Sequence, residues 1–196
     1  MGSTSTTKSG NHPQGLPDAG QTGFWNYYTS NSRDPATWSL TLLTWGKTWK
    51  LEAEGNNQGY VKANNERHVG CITGPNPAVH DEPAPAAGFC AMHSSGGPGA
   101  AVAEWTSATT GNISISGTVK LARENKESGV QFWVWKKTAD GTVSTAVDAI
   151  TIRDGDAHPF NATAAVAPGD RIYFALGPNG SIWGDHSHMA ATIARQ

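Results

Sequence analysis

Residues 129–137 read Gly-Val-Gln-Phe-Trp-Val-Trp-Lys-Lys, and a strand's period of two sorts them into two unlike faces. Val130, Phe132 and Val134 make an ordinary core face. Gln131, Trp133, Trp135 and Lys137 make the other, with two large flat rings between an amide and an ammonium. Rings with polar flanks suit a sugar-binding surface, because a ring combines an apolar face with hydrogen bonding at its rim. The competing expectation is that a further layer covers the rings, since a central sandwich strand can be apolar on both sides. In the run 171–176, Arg171 and Tyr173 face outward if Ile172, Phe174 and Leu176 face the core. Spacing alone does not say whether that strand neighbours 129–138. Trp183, in the turn 180–184, is a loop-tip aromatic that completes the candidate set. Trp25, Tyr27 and Tyr28 form a third aromatic cluster, expected to be buried, and Trp105 belongs to the core.

Asp185-His186-Ser187-His188 places two imidazoles at i and i+2, on one face of a strand. Such a pair can hold Zn or Cu if a third ligand converges, with His80, Asp81 or His93 as suppliers. The plainer reading is a pair of solvent-facing histidines on an edge strand. Asp154-Gly155-Asp156 falls short of a calcium loop's ligand count and reads first as a tight turn. Catalytic signatures are thin. The chain has no Gly-x-Ser-x-Gly elbow, no His-Glu-x-x-His and no phosphate-cradling glycine loop. Glu52, Glu54, Glu66, Asp81, Glu82 and Glu104 form no recognisable carboxylate pair of the kind a glycosidase needs. Cys71 and Cys90, in a Gly- and Pro-rich stretch, suggest one disulfide and an oxidising compartment; two unpaired thiols are the alternative.

The elements that must position these residues are strands. At 196 residues and 20.6 kDa the chain suits one large domain with an ample core. Charged residues are only 15%, against 23 Gly and 11 Pro, the balance of a turn-rich β protein. A net charge of −2 and a pI near 6.4 leave no basic footprint for nucleic acid. No stretch approaches a membrane span, and no amphipathic basic helix is present. Acidic polymers stay open as ligands, because local basic patches survive a near-neutral total.

Residues 1–20 read as a disordered polar leader, with Met1–Ser5 resembling an added start, and residues 21–196 as a single β domain. Strands are expected at 24–28, 38–45, 101–108, 112–122, 129–138, 143–152, 159–166, 171–176 and about 187–194. Their separators include Thr110-Gly111, Asp140-Gly141, Asp154-Gly155-Asp156, Pro168-Gly169-Asp170 and Pro178-Asn179-Gly180, where Gly, Asn and Asp supply positive φ and Pro presets the turn. Residues 64–100, holding both cysteines and His68, His80 and His93, read as one long irregular connection. The spacing predicts an all-β, two-sheet antiparallel β-sandwich of jelly-roll type.

From Ala101 onward the chain resembles the jelly-roll, carbohydrate-binding-module-like domains of bacterial polysaccharide-degrading enzymes. The residues that carry the likeness are Ala101–Ser107, Gly111-Asn112-Ile113-Ser114-Ile115-Ser116-Gly117, Gly129–Phe132, Val166–Phe174, Gly177–Gly180 and the closing run Asp185–Ile193. The aromatic opening Gly23–Tyr28 is similar to the start of such modules. The resemblance implies secretion or a cell-surface location, and a non-catalytic role beside an attached catalytic domain, with polysaccharide as partner. It also implies a structural Ca²⁺, for which Asp185, Asp154 and Asp156 are available. The alternatives are a jelly-roll polysaccharide lyase or hydrolase using His93, His186 or His188, and a structural or protein-interaction sandwich using the tryptophan face.

Overall fold

The computed structural model of the chain describes residues 23–42, 44–46, 60–64, 67–71, 90–93, 99–122, 128–180 and 186–196. Among these residues all regular structure is strand: β1 (Gly23–Ser30), β2 (Leu40–Leu42), β3 (Thr44–Gly46), β4 (Tyr60–Asn64), β5 (Arg67–Cys71), β6 (Cys90–His93), β7 (Ala101–Ser107), β8 (Gly111–Leu121), β9 (Val130–Lys137), β10 (Val143–Ile152), β11 (His158–Val166), β12 (Arg171–Pro178) and β13 (His186–Arg195). They form two antiparallel sheets. One runs β10-β9-β12-β7-β1-β2, the other β11-β8-β13-β6-β5-β4-β3.

Alternation explains the core. β8 turns Ile113, Ile115, Val119 and Leu121 inward, and β13 adds Met189, Ala191 and Ile193. Opposite them, β7 contributes Ala101, Ala103 and Trp105, β9 contributes Val130, Phe132 and Val134, and β12 contributes Ile172, Phe174 and Leu176. Phe160 of β11 bridges the sheets, its ring 5.0 Å from that of Phe132 and 6.1 Å from that of Phe174. Gly117, opposite Phe160, makes this contact fit, because a Cβ there would collide with the Ala190 carbonyl and the Phe160 ring. Each such large side chain taken from water contributes roughly 1.5–3 kcal/mol.

The turns follow their residue types. Asp170 N–H donates to Ala167 O at 3.0 Å, and Gly169 has φ +87°. Pro168 and Gly169 thus occupy the central positions of a type II turn, which requires positive φ at the second. The Asp170 carboxylate, 4% exposed, accepts from Ala167 N at 3.1 Å and Ala139 N at 3.0 Å, and Lys136 Nζ lies 3.0 Å away. It joins the β11–β12 turn to the β9–β10 turn. Burial alone would raise its pKa, but Lys136 and the two amides outweigh burial and hold it below the usual carboxylate range.

Two expectations differ from the structure. Residues 64–100 are not wholly irregular, since β5 and β6 lie within them and pair antiparallel, with Cys71 directly opposite Cys90. Neither segment alternates, so nothing in the residue types announces a strand. Trp38 is not the start of a strand. It ends a turn segment in which Asp34 Oδ1 accepts from Ala36 N at 2.9 Å and Thr37 N donates to Asp34 O at 3.1 Å. An Asp-Pro pair favours that local bonding over a ladder. Residues 1–20, the expected leader, lie outside the described residues.

Candidate functional site

β9 and β12 are neighbours, and their register assembles the candidates. Trp135 stands opposite Tyr173, Trp133 opposite Ala175, Lys137 opposite Arg171 and Gln131 opposite Gly177. Directly opposed residues share a sheet face, so Gln131, Trp133, Trp135, Lys137, Arg171 and Tyr173 all lie on the side of the six-stranded sheet away from the main core. β7 continues the rows with Thr106 opposite Arg171, Glu104 opposite Tyr173 and Val102 opposite Ala175. β1 follows β7 and brings Tyr28 to Val102.

The aromatic rings form a layered cluster. Trp133 and Trp135 stack at 5.4 Å with 14° between planes. Trp38, carried by the segment between β1 and β2, meets Trp135 edge-on at 5.3 Å and Tyr173 at 5.1 Å. Trp135 (7% exposed) and Tyr173 (2%) are therefore the bed of the cluster, while Trp133 and Trp38 are half-buried and form its outer surface. A partial layer therefore covers Trp135 and Tyr173 and leaves Trp133 and Trp38 half-buried. Each aromatic contact adds about 0.5–1.5 kcal/mol beyond its buried area, so the rings are held rigidly.

The polar frame is equally specific. Glu104 is 3% exposed. Its Oε1 accepts from the Tyr28 hydroxyl and from Thr106 Oγ1, each at 3.3 Å, and Arg171 Nε lies 3.7 Å from Oε2. Tyr173 lies opposite Glu104 in the β12–β7 register, within reach of the Glu104 and Arg171 charges. Burial pushes the Tyr28 and Tyr173 hydroxyls above the ordinary tyrosine pKa, and the Glu104 charge adds to the effect. At the opposite end of the strip Arg33 Nη1 donates to Pro178 O at 2.7 Å and to Gln131 Oε1 at 3.4 Å. Its stem lies over Gly177, where a Cβ would come within 2.9 Å of Arg33 Cδ and 3.2 Å of Trp133 Cζ3. The missing side chain is what lets Arg33 and Trp133 settle there. Sequence reading misses Arg33, Trp38 and Glu104; the Glu104 signal, a lone acid in an otherwise apolar strand, is visible in Ala-Val-Ala-Glu-Trp.

The remaining candidates lie elsewhere. Trp183, Asp185, His80 and Asp81 are outside the described residues. His186 stands opposite His93 in the β13–β6 register, and His93 stands opposite His68 in β6–β5, an alignment that spacing did not reveal. His188 is buried. Asp154 and Asp156 sit in the β10–β11 turn, where Asp154 Oδ1 lies 2.8 Å from His158 Nε2 and accepts from Asp156 N at 3.2 Å. Among the described residues no three His, Cys, Asp or Glu gather into a metal-binding group.

No family model matches the chain, and no curated protein does. Among solved structures it is similar to Family 16 Carbohydrate Binding Module-2, at 6% identity and TM-score 0.41, over 66% of this chain and 86% of that one. It is similar to a cyclase from Fischerella sp. TAU in complex with 4-(1H-indol-3-yl)butan-2-one, at 14% identity and TM-score 0.45, over 87% and 85%. A third is the CBM22-1 xylan-binding domain from Paenibacillus barcinonensis, at 13% identity and TM-score 0.35, over 71% and 86%.

Proposed function

We propose that the outer face of β9 and β12 binds a polysaccharide chain without transforming it, and so holds an attached or partner enzyme at its substrate. The observation that carries this reading is Trp133, half-buried and stacked on a buried Trp135, in a strip bounded by Gln131, Arg33, Lys137 and Arg171. A ring already immobilised by packing loses little conformational freedom when a sugar settles on it. The polar groups at the strip's edges then bond hydroxyls that flat rings cannot discriminate. The strip runs from the 131/177 row to the 137/171 row, about 20 Å at strand rise, a length suited to an oligosaccharide rather than a single sugar.

Sites of this kind bind with dissociation constants on the order of micromolar to millimolar, roughly −8 to −4 kcal/mol. Attachment to a catalytic partner turns that weak contact into a high local substrate concentration. An extracellular setting belongs to the same proposal, with a Cys71–Cys90 disulfide. Directly opposed antiparallel residues have Cα atoms about 4.5–5.5 Å apart, inside the range a disulfide spans. Intact mass before and after alkylation under non-reducing conditions checks it.

The function test is affinity electrophoresis of the whole chain across soluble neutral and acidic polysaccharides, alongside Trp133→Ala. Retardation by at least one polymer, lost in the folded variant, supports the reading. Mobility unchanged in every gel refutes it, and product release from the same polymers would replace it with a lyase or hydrolase.

A further inference from the structure

We infer that the ligand is an acidic polysaccharide, whose uronate carboxylates are taken up by the cations at the two ends of the aromatic strip. This rests on the carbohydrate reading above and narrows it to a substrate class.

The charge pattern of the face carries the inference. β9, β12, β7 and β1 hold a single carboxylate between them, Glu104, and the edge strand β10 adds one more, the exposed Asp148, between the Val147/Val134 and Ile150/Phe132 rows and away from the Lys137/Arg171 row. It is buried beneath the face and already accepts from Tyr28 and Thr106 while facing Arg171. Lys137 stands directly opposite Arg171. Like charges placed opposite each other across a strand pair are destabilising, and Lys137 has no ion-pair partner among the described residues. Arg33, exposed at the other end, bonds among the described residues a carbonyl and an amide oxygen. The nearest acids in sequence are occupied locally. Asp34 accepts from Ala36 N, and Asp140 accepts from Thr138 and from Thr142 N. In a chain of net charge −2, this clustering of cations is local.

A neutral glycan would leave the Arg171/Lys137 repulsion in place. A carboxylate set between them relieves it, and the planar guanidinium of Arg171 offers a fork to receive it. A second carboxylate farther along the chain reaches Arg33. The rings between supply stacking, which is indifferent to charge, and the cations supply the discrimination.

The test compares polygalacturonate with the same polymer fully methyl-esterified, plus a neutral glucan and dextran sulfate, by affinity electrophoresis at low and at 0.5 M salt. The proteins are the native chain, Lys137→Gln and Arg33→Gln/Lys137→Gln. Lys137→Gln removes no bond among the described residues, so loss of folding does not confuse the result. The expected outcome is retardation by polygalacturonate and not by its ester. It should weaken about threefold in the single variant and about tenfold in the double one, and diminish with salt. Equal retardation by the ester or the glucan, unaffected by both variants, overturns the acidic ligand and leaves carbohydrate binding standing. Dextran sulfate binding as well as polygalacturonate overturns the uronate assignment in favour of general polyanion attraction. No retardation by any polymer overturns both the inference and the reading beneath it.

Discussion

Trp133 and Trp135 are two residues apart in one strand and point the same way, yet they should respond differently to truncation. Trp135 loses its stack with Trp133 and its edge contact with Trp38, and leaves a ring-sized cavity beside Tyr173. Buried Trp→Ala changes cost about 3–5 kcal/mol. A chain of this size shifts by about 2–4 °C per kcal/mol, so Tm should fall by about 6–20 °C. Trp133→Ala forfeits one ring contact and part of an already half-exposed area, about 1–2 kcal/mol, and Tm should fall by about 2–8 °C and by less than in Trp135→Ala. Binding should show the reverse order of interest. Trp133→Ala remains folded and loses at least about tenfold in affinity, equivalent to about 1.4 kcal/mol of contact. The assay pairs a thermal melt followed by tryptophan fluorescence with affinity electrophoresis well below the melting transition. Should Trp133→Ala prove the more destabilising of the two, or Trp135→Ala leave Tm unchanged, the assignment of bed and surface would be wrong.

Three other outcomes follow from the same geometry. Gly177→Ala pushes chiefly on the stem of Arg33, which is flexible enough to yield, so Tm should change little while affinity drops; equal affinity would detach Arg33 from the site. Tyr28 and Tyr173 have folded-state pKa values above the ordinary value near 10. Their contribution is complete below about pH 10 and is lost above it, as the unfolded tyrosines ionise first. In Glu104→Gln the spectrophotometric tyrosine titration should move down toward the ordinary range, and an unmoved curve would remove Glu104 as a cause. Asp170 has the opposite sign. Its folded pKa is depressed, so its stabilisation is present above the unfolded value near 3.9 and is lost as pH falls below that value. Asp170→Asn should cost about 2 kcal/mol at neutral pH and flatten the acid limb of a stability-against-pH curve measured in urea.

The second half of the chain was legible because its punctuation is local chemistry. Asp140-Gly141 and Asp154-Gly155-Asp156 each demand a turn, so β10 begins and ends where the residue types say it does, although two register shifts against β9 break its alternation. The pairing of β9 with β12 was not legible, since strand order depends on contacts among residues far apart in sequence. That pairing is what turns Arg171 and Lys137 from two surface cations into an opposed pair. Trp38 illustrates the same limit. Its composition suits a strand, and only the Asp34-Pro35 turn before it and the rings of β9 and β12 beneath it decide that it becomes a cover. The segment 64–100 carries no alternation from which β5 or β6 could be read.

The face is stitched together across long stretches of chain. Tyr28 reaches Glu104 over 76 residues, Arg33 reaches Gln131 over 98 and Pro178 over 145. Such pairings form slowly, because the entropy of closing a long loop is lost before any contact rewards it. Among β7 to β13 only β9 and β10 pair as sequence neighbours and can close as a hairpin first. Arg33 cannot find Pro178 until β12 has been made and has joined β9, so the ligand face is completed together with the sheet that carries it and not by any one hairpin.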